Sequence, residues 1–109
     1  MIHIIKKKAT RKQIGEMLET LSTYIKLAVD VRRAVIAGGG ILHADCEAML
    51  LAEGSNQEDV WGADWLPETK QVKTEALINV RPKQGNRTMI IQNKEVRKKV
   101  EQIVMHLLG

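Results

Sequence analysis

The apolar residues of this chain change period twice, and that change restricts the folds open to it. Near the N-terminus Ile14, Met17, Leu18 and Leu21 recur at helical spacing, behind a Thr10-Arg-Lys-Gln13 run with the form of a capping box. From Tyr24 the period becomes two: Ile25, Leu27, Val29 and Val31 alternate with Lys26, Ala28 and Asp30. The helical period returns only after Asn93, where Val96, Val100, Ile103, Val104 and Leu107 form one stripe. The spacing therefore predicts a helix over 10–22, a strand-rich middle, and a last helix capped by Asn93.

Within the middle, Arg32-Arg33 reads as a turn into a short strand, Ala34 to Ala37, and Glu58 to Trp65 reads as a strand that Pro67 ends. Val72 to Val80 is the cleanest alternation, and a short strand, Thr88 to Gln92, follows the basic turn 82–87. The links between these strands look too short for crossovers, so an antiparallel meander of four to six strands is expected. Two amphipathic helices can cover one face of such a sheet, giving a two-layer α+β fold in a single domain, 1–109.

Charge is segregated along the same chain. Residues 34–69 contain no Lys or Arg and seven acids, whereas both flanks are strongly basic and the net charge is +4. A basic balance raises the prior for nucleic acid. The aromatic content argues the other way: there is no Phe, and both Trp lie in the acidic block. An apolar share of 44% with 28% charge fits a folded globular chain. The longest apolar run, Ala34 to Leu42, is far short of a bilayer span, so no membrane is expected. No signal peptide is visible, and a lone Cys46 fits a reducing compartment; the expected location is the cytoplasm.

Leu42-His-Ala-Asp-Cys-Glu-Ala48 concentrates ionisable groups. Read as a strand, it places His43, Asp45 and Glu47 on one face and Cys46 between alanines on the other. The competing reading is a helix: residues 44–53 are good helix formers and end at Gly54. Alternation favours the strand. His43, Asp45 and Glu47 are then candidate metal ligands or acid–base groups, with Asp64, Glu75 or His106 as a third ligand from elsewhere. The plainer reading is a polar sheet face whose acids pair with Arg or Lys across strands. Cys46 reads as a small buried hydrophobe.

Glu75, Asn79 and Arg81 share the polar side of their expected strand and would join that face as ligand-binding residues, unless Arg81 simply neutralises Glu47 or Asp45. Arg87 in the 81–87 turn offers a seat for an anion, and Trp61 a wall for a pocket, although core packing is its default. No motif names a cofactor. Gly38-Gly39-Gly40 lacks the Gly-Lys-Ser/Thr ending of a Walker loop and reads as a bulge or close backbone packing.

Three phrases, GGGILHADCE at 38–47, GSNQEDVWGADWLPE at 54–68 and EALINVRPKQGNRTM at 75–89, resemble a small family of uncharacterised prokaryotic proteins known only as a domain of unknown function. The resemblance covers roughly residues 24–104. It implies one free-standing domain and carries no catalytic role. The leading expectation is a binding protein for a polar ligand or partner on the open sheet face. A metal-assisted hydrolase built on His43, Asp45 and Glu47, and a nucleic-acid binder using the basic helices and the 81–87 turn, are the alternatives. Met49, Leu51 and Leu77 fall on the open side, where a homodimer would shield them unless Ile2 to Ile5 cover Leu77.

Overall fold

The computed structural model describes residues 1–109. Five strands, β1 (His3–Ile5), β2 (Ile25–Asp30), β3 (Val35–Gly38), β4 (Val60–Leu66) and β5 (Gln71–Lys73), form one sheet in the order β1-β3-β2-β4-β5. Every neighbouring pair is antiparallel. Three helices accompany them: α1 (Arg11–Leu18), α2 (His43–Ala52) and α3 (Lys94–Leu108). None is long and apolar enough to cross a membrane.

The terminal helices lie on one face, as expected for this α+β fold. At the start of α1, Gln13 N–H donates to Thr10 Oγ1 at 3.1 Å and Thr10 N–H to Gln13 Oε1 at 2.9 Å, which completes the capping box. The helix stops at Leu18, short of the expected 22, and the chain turns back through Ser22 at φ +70°. Asn93 caps α3 by accepting from Glu95 and Val96 N–H. The apolar stripe Val100, Ile103, Val104 and Leu107 packs with Met17 against Ile25, Leu27, Val29, Ile36, Trp61, Ala63 and Trp65. Each Val, Leu, Ile or Met side chain buried in this way is worth about 1.5–3 kcal/mol.

The second face differs from expectation. Residues 43–52 are helical, not extended, so His43, Asp45 and Glu47 do not share a strand face. Asp45 accepts from Leu42 N–H at 3.2 Å at the helix start, and Gly54 at φ +113° closes the end. Cys46 and Leu50, one turn apart, seat α2 on Ala28, Val35, Ala37 and Val60. The alternation was a coincidence of small residues; helix propensity together with an apolar sheet face to pack on prevails.

With α2 a helix, the links are long enough for crossovers. β3 and β4 run in the same direction on either side of β2, and α2 carries the chain between them; α1 does the same from β1 to β2, over β3. Both crossovers shift the same way across the sheet, but their strands run in opposite directions. Equal handedness then requires α1 and α2 on opposite faces, as observed.

Two further segments depart from the expected pattern. The strand foreseen over 72–80 ends at Lys73 and gives way to a 3₁₀ turn at Leu77–Asn79. The strand foreseen over 88–92 is reduced to a single bridge, Glu75 to Ile90. Gly62 explains the first departure: a Cβ there would lie 2.5 Å from Ala76 Cβ and 2.9 Å from Ile78 Cγ1. The side chains of Ala76 and Ile78 thus press onto β4 at Gly62, and the segment does not continue along the strand. In an open strand Gly→Ala would stabilise, whereas Gly62→Ala is expected to destabilise by about 1–3 kcal/mol through overpacking, read from urea unfolding.

The far end of the sheet is held by a polar network. Buried Asp30 accepts from Arg32 and Arg33 N–H through Oδ1, each at 2.9 Å, and from Ser55 Oγ through Oδ2 at 2.6 Å. Arg33 donates to Ser55 Oγ at 2.8 Å and to Glu53 at 2.5 Å, and Lys6 lies 3.1 Å from the other Glu53 oxygen. The Arg33 and Lys6 hydrogen bonds hold the Glu53 carboxyl below its ordinary range. Stability from Glu53 is therefore fully present above the ordinary carboxylate range and lost as pH falls through the lowered folded value. Glu53→Gln should lower the melting temperature at neutral pH, and its gap from the parent should shrink progressively on acidification.

Candidate functional site

Asp64 is the point on which the ionisable groups of the second face converge. It lies on β4 with Lys26 of β2 directly opposite on one side and Lys73 of β5 on the other. His43, the first residue of α2, leans over the same carboxylate, with Nε2 2.7 Å from Asp64 Oδ1. A carboxylate only accepts, so Nε2 donates, and in the neutral ring Nδ1 is left as the acceptor. The two side chains are only 13% and 17% exposed.

This pair stands between two clefts. One, of about 350 Å³, takes its walls from Leu42, Ala44, Leu77, Ile78 and Met89 and its polar groups from Lys26, His43 and Glu75. The other, of about 400 Å³, runs past Asp64 to Tyr24, Glu68 and Lys73. Neither Lys26 nor Glu75 belongs to any of the chain's six ion pairs. The first cleft therefore holds one cation and one carboxylate without partners, inside mostly apolar walls.

The other residues singled out from sequence are placed differently. Asp45 is occupied at the start of α2. Glu47, one turn beyond His43, accepts from Arg81 at 3.1 Å, so Arg81 does neutralise Glu47. No group of three or more His, Cys, Asp or Glu side chains is arranged to hold a metal ion. Of the three side chains considered as a further ligand, Asp64 meets His43 and Glu75 lines the same cleft. His106 is exposed in the last turn of α3, which packs on the opposite face. Cys46 is fully buried, burial pushes its thiol up, and it donates to Lys26 O.

Asn79 and Arg81 serve the backbone. The outer edge of β4 pairs with β5 only from Asp64 to Leu66. At Gly62 the buried Asn79 amide takes over: Oδ1 accepts from Gly62 N–H at 2.8 Å, and Nδ2 donates to Gly62 O at 3.0 Å and Met89 O at 3.1 Å. At Val60 the carbonyl accepts from the Arg81 guanidinium, which also donates to Ile78 O and Gln57 O and lies 4.7 Å over the ring of buried Trp61. Burial pulls the Arg81 pKa down, opposed by the Glu47 charge. Asn86 pins the rest of the loop, donating to Asn79 O, Thr88 O and Ile90 O and accepting from Gln92 N–H. Arg87 is exposed, and only its backbone N–H is engaged, with Gln92.

Lys26 was missed by the sequence reading. Its signal was its parity with Ala28 and Asp30 on β2, which places it on the face that His43 overlooks once 43–52 is helical. The cost of emptying the β4 edge is testable. Asn79→Ala leaves the Gly62 N–H and carbonyl without partners and should destabilise by about 2–4 kcal/mol in chemical unfolding.

A family model described as a protein of unknown function (DUF5674) matches residues 3–107. No curated protein and no solved structure matches the chain.

Proposed function

The chain belongs to DUF5674, a family of proteins of unknown function, and from the cleft beside α2 we propose that it is a binding module for a small amphipathic ligand bearing an anionic group. The observation that carries this reading is the unpartnered Lys26 beside the His43–Asp64 pair in an apolar-walled cleft. An ammonium group partly withdrawn from water with no carboxylate in ion-pair contact favours an anion. Asp64 does not oppose that anion, because its carboxylate is hydrogen-bonded to His43 and Lys73 stands opposite it on β5. Glu75, exposed on the same cleft, suits a donor at the ligand's other end, and Leu42, Leu77 and Met89 suit an apolar body between them. A volume of about 350 Å³ matches a small molecule.

A hydrolase using His43, Asp45 and Glu47 together finds less support, since each of the three side chains is committed to a different partner. Nucleic-acid binding finds less support too, because both Trp are buried and offer no stacking surface. The test is a titration of ¹⁵N-labelled protein with leucine, phenylalanine and hexanoate, followed by amide shifts. Shifts concentrated at 42–44, 75–78 and 89, weakened about tenfold or more by Lys26→Ala, are expected for loss of a charge-assisted contact. Shifts elsewhere, or equal binding by Lys26→Ala, would reject the cleft as the site.

A further inference from the structure

The helix α2 is apolar on the side that faces away from the sheet as well as on the side that packs. Ala44, Ala48, Met49, Leu51 and Ala52 are exposed, and Ile41 and Leu42 just before them are 66% and 54% exposed. Asp45 is the one exposed charge among residues 43–52. The contrast within the molecule is sharp: α3 turns Lys94, Glu95, Lys98, Lys99 and Glu101 to solvent. A helix that is apolar all round is normally covered on both sides, yet nothing in the chain covers the outside of α2. The segment Ile2 to Ile5, which includes β1, lies at the β3 edge of the sheet, and Leu77 remains 75% exposed.

We propose that this face is covered by the α2 face of a second copy of the chain, packed antiparallel about a two-fold axis near Ala48. Charge selects this occupant. The chain carries +4, yet no Lys or Arg lies between residues 34 and 69, so α2 offers a face without positive charge. Its flanking acids Glu47 and Glu53 are already paired, with Arg81 and with Arg33 and Lys6. Two copies joined here keep their basic helix α3 on the far side of each sheet. Asp45 selects the orientation: three residues from Ala48, the two copies of Asp45 stand about 9 Å apart along antiparallel axes, but side by side along parallel ones. Alanines at 44, 48 and 52, one turn apart, let the two backbones approach, with Met49 and Leu51 flanking. The pairing is isologous, so one surface serves both partners. It goes beyond the ligand reading and rests on the outer face of α2, not on Lys26 or His43. Leu42 and Ala44 are shared by this face and the cleft wall, so the second copy would stand at the cleft mouth.

Sedimentation velocity from 5 to 500 µM on the parent, Ala48→Glu and Met105→Glu tests the interface. Twice the chain mass is expected for the parent and for Met105→Glu, which changes an exposed residue of α3, and the single-chain mass for Ala48→Glu. Circular dichroism checks that each variant is folded. Ala48→Cys gives a second route that survives a folding failure: mild oxidation should produce a covalent dimer across the axis, while buried Cys46 stays unreacted in the parent. A parent that remains monomeric throughout overturns the proposal. So does a dimer that persists in folded Ala48→Glu, or an Ala48→Cys protein that forms no covalent dimer. Binding of the parent monomer to neutral phosphatidylcholine vesicles would assign the face to a lipid surface, and also overturns it.

Discussion

An unpaired strand edge buried against other elements must be satisfied group by group, and the outer edge of β4 is where this chain meets that requirement. β5 supplies three residues of ladder. Beyond them the amide of Asn79 stands in for a strand at Gly62, and the guanidinium of Arg81 does so at Val60. Both side chains come from a segment with little regular structure, which Asn86 in turn ties together from within. No buried polar side-chain atom in the molecule is left without a partner. The loop 74–92 therefore serves as an irregular cover for this edge, and Gly62 is the place where its side chains Ala76, Ile78 and Asn79 come closest to β4.

That arrangement also builds the cleft. Because the chain leaves the sheet at Lys73 and turns at Leu77–Asn79, Ala76, Leu77 and Ile78 stand up beside the start of α2 instead of lying flat in a strand. Helix α2 reaches that position because its crossover must run on the face opposite α1. His43 thus overlooks Asp64, with Lys26 in the same cleft, through three separate consequences of one topology.

The charge segregation of the chain resolves in the same frame. In the ion pairs Lys6–Glu53, Arg32–Asp59, Arg33–Glu53 and Arg81–Glu47, the acid comes from the block 34–69 and the base from a flank. These contacts join the ends of the chain to its middle. They leave α2 the one helix whose outer face is neither basic nor strongly charged.

The α+β class, the antiparallel sheet, and both terminal helices with their caps were legible in the sequence, because each is written in apolar period or local hydrogen-bond chemistry. The same holds for the burial of Cys46 and the pairing of Arg81 with Glu47, which neighbouring residue types already suggested. The helix at 43–52 was not legible. Its short alternating run fits both periods, and only the sheet face waiting beneath Cys46 and Leu50 decides between them. Nor was the end of the strand at Lys73, where residues 74–80 keep a strand's alternation while Gly62, more than ten positions away, draws them out of line. Sequence alone was enough for the charge pattern and for the apolar stripes of α1, α3, β2 and β4, since those depend on side-chain chemistry and local spacing. The burial of Asn79 and the meeting of His43, Asp64 and Lys26 came only with the folded chain, because they depend on a crossover and a close approach at Gly62 that no local pattern encodes.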